Sequence, residues 1–575
     1  MNPRVILKTI HAILVGSIFM LCPGIAFAEA QVIKFLSSQP GNIFVGDKAR
    51  LEIKFDPLSL SETKIGIVEI RDEQGNLVSR LSMDFQSDHP ALDMSDPGYY
   101  TIEVLEAKAT SDIHKVLGRT SVAVLPPIVG DTNNPFGLWH VHGDPDTGLK
   151  AGAHWTRLLR TLNAYKLDAS GEILSNPKAK TIAVPAFPGY VFIDTLAYGL
   201  PDFLKNNEEK SSQNLYPPKD WQVFEKLIEQ LLKDIPYVPE YFSVYNEPEN
   251  TWQGSDQELV KFLGTIAWAV KRVHPETKVL GPGLATIKIA RLRNLAKLGL
   301  FDYLDGVATN AYSEVGKPEG EFIRRVLDLK SLLAEVGRTN MPIYITEYGW
   351  TSSSGTWQQP VDELTQARYV ARSLALLRNE EVNAAIYFCL RYTTRNVGEE
   401  GFSVTRADGT PKPAYVAFAT ASRMIGRDGI SSLIEGDDGS RLFQLRSKNK
   451  FEAVIVAWKP DSDRGVFVSG EFAKSVVDMM GRSLDVTETF KVEESPLYFV
   501  PKVGLNDVPK VLSMQIVRRG DLVSSEILQN VYIPKPLRIV NKKQIEVPTS
   551  TPLGTYWLIS DVGNRVTIFP LVVTD

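Results

Sequence analysis

Residues 342–350 read Pro342-Ile343-Tyr344-Ile345-Thr346-Glu347-Tyr348-Gly349-Trp350, a short apolar run that ends on a carboxylate. Earlier in the chain, Tyr241-Phe242-Ser243-Val244-Tyr245-Asn246-Glu247-Pro248-Glu249 repeats the pattern. Both runs lie among segments with helical spacing. Trp221, Phe224, Leu227, Ile228, Leu231 and Leu232 recur on one face of a predicted helix. Ser255 and Glu258 form a capping box ahead of Leu259, Phe262, Leu263 and Ile266. A helix from Glu321 is expected to stop near Gly337. Working outward, short strands are predicted to begin at Phe136, His154, Thr181, Tyr241, Lys278, Gly306, Pro342 and Ala384. Strands alternating with helices over about 290 residues fit a (β/α)8 TIM barrel, whose typical size is about 250. A doubly wound open sheet is the alternative, but no G-x-G-x-x-G or Walker sequence supports it.

On either side of this region the rhythm is that of β-structure. Alternating runs such as Ala49-Arg50-Leu51-Glu52-Ile53-Lys54-Phe55 precede it, and Phe451-Glu452-Ala453-Val454-Ile455-Val456-Ala457-Trp458 follows it. The expected organisation is multidomain α/β plus β. Residues 1–28 read as a signal peptide and 29–127 as an Ig-like N-terminal β-sandwich. The barrel spans 130–427, a β-sandwich packed on it spans 428–502, and a C-terminal β-rich domain spans 505–575.

The first 28 residues set the expected compartment. Arg4 and Lys8 precede an apolar run from Ala12 to Cys22, Pro23-Gly24 breaks it, and Ala26-Phe27-Ala28 supplies a small-residue cleavage site. The run is shorter than the about 20 residues a spanning helix needs, so export to the periplasm or outside is expected, with no transmembrane segment after cleavage. Within the 575 residues, 63 Lys+Arg against 68 Asp+Glu give a net charge of −5. That balance carries no basic footprint, so nucleic acid is not an expected partner. The 2 cysteines, Cys22 and Cys389, exclude a disulfide scaffold.

Barrel chemistry sits where strands end, on the C-terminal face. Glu247 would end the fourth strand and Glu347 the seventh, on opposing sides of the mouth. An acid ending an apolar strand is partly desolvated, which raises its pKa. Two acids in unlike surroundings separate into a proton donor and an anion, the pair that glycosidic bond cleavage uses. The bland alternative is that each Glu caps a helix or forms a loop salt bridge. Glu249 is a competing acid at the first site, although its place beyond Pro248 suits a loop.

Asn246-Glu247-Pro248 and Thr346-Glu347-Tyr348-Gly349-Trp350 resemble the acid/base and nucleophile motifs of clan A glycoside hydrolases, most of all family 39 and related bacterial exopolysaccharide glycosidases. The resemblance extends from about Phe136 to Pro501. It implies that Glu247 is the general acid/base and Glu347 the nucleophile of a retaining double displacement. It further implies that Asn246 binds the sugar 2-OH, that Tyr312 sits against Glu347, and that Arg157 pairs with Glu347 and keeps it ionised. The clan often has a Trp platform on strand eight, whereas this chain reads Tyr387-Phe388-Cys389-Leu390-Arg391-Tyr392. Stacking would then fall to Tyr387, Tyr392 or another ring. Strand six offers Asn310 where many relatives have His.

Trp139, His140 and His142 are expected to end strand one, and Phe187, Pro188 and Tyr190 to follow strand three. Trp252, Trp350 and Trp357 are expected on mouth loops. Of these rings Trp252 and Trp350 are the first choices for sugar contact, since aromatic faces stack on sugar C–H faces. His140 and His142 with Asp144 would be needed for any metal, but retaining cleavage requires none, and no cofactor is expected. The expected partner is a polysaccharide or oligosaccharide substrate. A silent carbohydrate-binding scaffold and a transglycosylase using the same pair remain the alternatives.

Overall fold

The structure is a computed structural model. It describes residues 33–575 apart from 47, 56–64, 85–89, 107–114, 129–133, 177–187, 198, 206–214, 315, 393–397, 436–438, 448–452, 462–464, 503–509, 512–514, 525–530, 542–543 and 563–564. The expected signal peptide lies outside the described residues.

Eight parallel strands close into a barrel: Phe136–Leu138, Trp155–Thr161, Val191–Ala197, Tyr241–Ser243, Lys278–Leu284, Gly306–Asn310, Ile343–Tyr348 and Ala384–Tyr387. The last strand pairs with the first, Ala385 opposite Phe136 and Tyr387 opposite Leu138. Gly137 is needed where the first strand meets the second, because a Cβ there would lie 2.2 Å from the Trp155 carbonyl oxygen. The third strand is not at Thr181, which lies outside the described residues. Val191–Ala197 takes that place, pairing with Trp155–Thr161 and with Tyr241–Ser243. Pro188 and Tyr190 accordingly precede this strand, and Phe187 lies outside the described residues.

The helices form as their sequences predict. Trp221–Asp234 buries Phe224, Leu227, Ile228, Leu231 and Leu232. Asp256–Val273 starts on the reciprocal Ser255–Glu258 capping box. Ile323–Glu335 begins after a π-type turn at Pro318–Phe322, and Gly337 follows it with φ 73°.

Residues alternate between the lumen and the helical layer. Trp155, Ile193, Leu280, Ala308, Tyr344 and Ile386 form one cluster inside, while Phe242, Val279, Val307, Ile345 and Ala385 belong to the layer under the helices. By this alternation Arg157 shares the lumen side with Trp155. Asn310 and Tyr312 likewise share it with Ala308.

Before the barrel, a three-stranded sheet (Ile33–Ser37, Ala49–Phe55, Ala91–Met94) and a five-stranded sheet share one core of Ile33, Leu51, Ile53, Val68, Ile102 and Val104. The two segments after the barrel are not separate as expected. Gly465–Val468 and Phe490–Val492 join the sheet formed by Gly554–Val562 and Arg565–Thr574, and Trp557, Ile559 and Ile568 complete the core of the preceding segment. The last segment thus completes a sheet begun in the one before it.

Charged side chains tie these units together. Glu319 accepts from the Trp458 indole at 2.7 Å and pairs with Arg372 at 2.9 Å, and Arg482 pairs with Glu73 at 2.6 Å. Among the described residues, no helix is long and apolar enough to cross a membrane.

Candidate active site

Regular alternation would turn Glu347 outward with Ile345. It does not, because the register slips: Thr309 faces Ile345, but the next pair is Asn310 with Glu347. The extra residue is a β-bulge, a device that re-aims side chains beside functional sites. It brings Glu347 to the Arg157 guanidinium in the lumen, where the two form a buried ion pair.

Strand four achieves the same end differently. Glu247 adopts a left-handed conformation with φ 49°, and its N–H donates to the Gly283 carbonyl at 2.7 Å. Gly283 itself has φ 74°, and a Cβ there would lie 1.8 Å from the Tyr245 carbonyl oxygen. No other residue fits this position without moving the end of strand four.

One cation serves both motifs. Arg157, 1% exposed, contacts Glu347 Oε1, donates from Nη2 to Asn246 Oδ1 at 2.6 Å, and donates from Nε to Thr195 Oγ1 at 3.1 Å. The Tyr312 hydroxyl donates to Glu347 Oε2 at 3.1 Å. Burial, followed by the Glu347 charge, holds that hydroxyl in its protonated form by raising its pKa well above the usual range.

Across the mouth, Glu247 Oε1 accepts from Asn310 Nδ2 at 2.8 Å and Oε2 accepts from Asn250 Nδ2 at 3.1 Å. Thr346 Oγ1 donates to Asn310 Oδ1 at 2.8 Å, which fixes the orientation of that amide. Glu249 is occupied elsewhere, accepting the Ala285 N–H at 2.7 Å, and it lies in the short helix Pro248–Thr251, not in the loop expected.

The expectation that Arg157 simply keeps Glu347 ionised needs revision. Burial is the largest influence and pushes the carboxyl up to about 7. Arg157 and the Tyr312 hydrogen bond pull it down, while the charge of Glu247 pushes it further up. Glu347 therefore titrates near neutrality, half ionised there and an anion above it, with its cation opposing the effect of burial.

The floor beside the carboxylates is aromatic. Phe388, on the lumen side of strand eight's end, packs 4.9 Å from Trp139, 5.6 Å from Tyr392 and 6.4 Å from Tyr312. Phe388 faces the lumen there, unlike Tyr387, which is fully buried on the other side and donates to the Trp350 carbonyl at 3.2 Å. Trp139 also donates its indole N–H to the Arg157 carbonyl at 3.1 Å.

His140 lies 4.1 Å from Trp139 and 5.2 Å from Tyr392, and its Nε2 is buried without a partner. Burial, then His142, lowers its pKa to about 4, so the imidazole is neutral at physiological pH. Asp144 is engaged by Arg391 at 2.7 Å, and among the described residues no three His, Cys, Asp or Glu side chains are grouped to hold a metal.

Trp252 and Trp350 are not brought to the floor. Trp252 packs on Phe262 under the helical layer and donates to the Ser255 carbonyl, and Trp350 is wedged among Phe322, Tyr348 and Tyr369. Large apolar rings on a barrel rim gain more by packing than by facing water. Of the three mouth-loop tryptophans expected, Trp357 is exposed instead, edge-on to Tyr312 at 5.5 Å.

No protein-family model matches the chain. A family 39 glycoside hydrolase from the gut symbiont Bacteroides cellulosilyticus WH2 superimposes with a TM-score of 0.64 at 18% identity, covering 82% of this chain and 100% of that one. The fold is that of a family 39 glycoside hydrolase. In sequence, the chain is similar to a beta-xylosidase of Caldicellulosiruptor saccharolyticus, 26% identical over 276 residues. That match takes in 42% of this chain, which spans about half, 54%, of the length of the relative.

Proposed function

We propose that the protein is an exported glycoside hydrolase that cleaves a polysaccharide or oligosaccharide with net retention. In this reading Glu347 is the nucleophile and Glu247 the acid/base. The carrying observation is that one buried guanidinium touches both motifs, pairing with Glu347 and holding Asn246 next to Glu247.

In the first step Glu347 attacks the anomeric carbon as the glycosidic C–O bond breaks, and Glu247 gives its proton to the departing oxygen. In the second, Glu247 takes a proton from water, the resulting hydroxide oxygen bonds to the anomeric carbon, and Glu347 departs. Both faces of the sugar are then used once, which is why configuration is kept, and a carboxyl separation of about 5–5.5 Å suits it. Tyr312 and Arg157 spread the negative charge of Glu347 before attack, and the Asn246 amide is placed for the 2-OH. The double displacement uses neither metal nor cofactor.

The similarity to a protein named beta-xylosidase makes β-linked xylosides the first substrates to try. The paired sheets before and after the barrel suit β-sandwiches that brace it, and residues 1–28 suit export. The test is to follow the first anomer released from aryl β-xylosides and oligosaccharides by proton NMR, with and without an added sugar acceptor. Retained product from the wild type and none from Glu347→Gln is expected; inverted product, or unchanged release by the variant, overturns the proposal. Transfer to the acceptor in place of water would identify a transglycosylase.

A further inference from the structure

The aromatic lining of the mouth changes character along its length. Trp139 and Phe388 are 9% and 7% exposed, whereas Trp357 is 58% exposed. Tyr312 links them, since its ring meets Phe388 at 6.4 Å and Trp357 at 5.5 Å. A sugar resting on the floor beside Glu347 would be enclosed. The next unit of the same chain would leave the floor and reach Trp357.

An exposed indole on a loose loop would carry little weight, but this loop is pinned. Gln358, 2% exposed, accepts the Thr351 N–H at 2.7 Å and donates to the Ser313 and Gly349 carbonyls at 2.9 and 3.0 Å. Those bonds fasten the loop to the residue after Tyr312 and to the end of strand seven. With Gln358 turned inward, its neighbour Trp357 projects outward. A large apolar ring held in water by a buried polar anchor is a preorganised platform, and an indole face suits the C–H face of a pyranose.

We infer that Trp357 forms an outer subsite that stacks on a second sugar unit, so that the ligand is an oligosaccharide or polysaccharide chain and not a lone monoglycoside. This deepens the proposed function and rests on the same mouth, but it concerns binding and can be read without turnover.

The test is calorimetric titration of full-length Glu347→Gln protein with xylose and with β-1,4-linked xylo- and gluco-oligosaccharides of two to about five units. The same titrations are repeated with Trp357→Ala and Trp357→Phe added. Affinity should rise with chain length, and Trp357→Ala should weaken the longer ligands about tenfold while sparing the monosaccharide, with partial recovery in Trp357→Phe. Affinity that does not rise with length, or a rise that survives Trp357→Ala, overturns the subsite. Length-dependent binding lost in Trp357→Ala, alongside a wild type that cleaves none of these sugars, keeps the subsite and removes the hydrolase reading.

Discussion

Replacing Arg157 with Met separates electrostatics from packing at the site. The guanidinium is buried against Glu347, Asn246 and Thr195, and Met fills much of its stem while removing the charge. With Arg157 present, burial already pushes Glu347 up to about 7. An adjacent cation lowers a carboxyl by about 1–3 units, so its loss would move Glu347 to roughly 8–10. At pH 7 the ionised fraction then falls from about one half to between about one tenth and one thousandth. If attack needs the anion, kcat/KM at pH 7 drops about 5- to 500-fold and recovers as pH rises.

The acidic limb of kcat/KM, which reports the free enzyme, should shift upward by the same 1–3 units. Stability follows the same linkage. The folded pKa of Glu347 lies above its ordinary value of 4.5, so its contribution is full below about 4.5 and is lost as pH climbs through about 7. In the variant that loss continues to higher pH, so the deficit in Tm relative to wild type should grow between about pH 7 and 9. A drop in activity with the acidic limb left in place would refute the reasoning and make Arg157 a packing residue.

Three further substitutions probe the frame. Glu247→Gln removes the proposed proton donor, so hydrolysis of substrates with poor leaving groups should fall by at least about 100-fold, while formation of the intermediate from a dinitrophenyl glycoside is largely spared; stopped-flow kinetics on both leaving groups checks this. Asn310→Ala frees Glu247 Oε1 and strands the buried Thr346 hydroxyl, each a hydrogen bond worth about 1 kcal/mol, so unfolding should become about 2 kcal/mol easier and kcat/KM should fall about tenfold, measured by denaturant melts and steady-state kinetics. Gly283→Ala places a methyl against the Tyr245 carbonyl at a positive φ, and should cost about 2 kcal/mol or more in denaturant unfolding while lowering activity.

Much of the barrel is legible in the sequence because its strands are short apolar runs and its helices carry strong apolar faces and caps. The third strand escapes that reading. Val191–Ala197 holds Asp194, fully buried and paired with Arg160 at 2.6 Å, and a charge in the middle of a strand masks it. Thr181-Ile182-Ala183-Val184 offers a cleaner apolar signal in the sequence. Glu247, Glu347, Arg157, Asn246 and Tyr312 come together as their motifs imply.

The Asn310–Thr346 support was not visible, since nothing in spacing says that two polar side chains on adjacent strands will bond across a bulge. Nor does composition distinguish a tryptophan that packs, such as Trp252 or Trp350, from one held out by its neighbour, such as Trp357. The shared C-terminal sheet was hidden for a further reason: pairing between Gly465–Val468 and Gly554–Val562 spans far more sequence than any local pattern covers.

The most direct test of the central claim is covalent. A 2-deoxy-2-fluoro glycoside with an activated leaving group slows release of the sugar more than its capture, so the intermediate accumulates on the attacking side chain. Peptide mass spectrometry of the trapped protein should place one fluorosugar on Glu347, with none in Glu347→Gln. A label on Glu247, or stoichiometric turnover of the reagent with no adduct on any residue, would contradict the account.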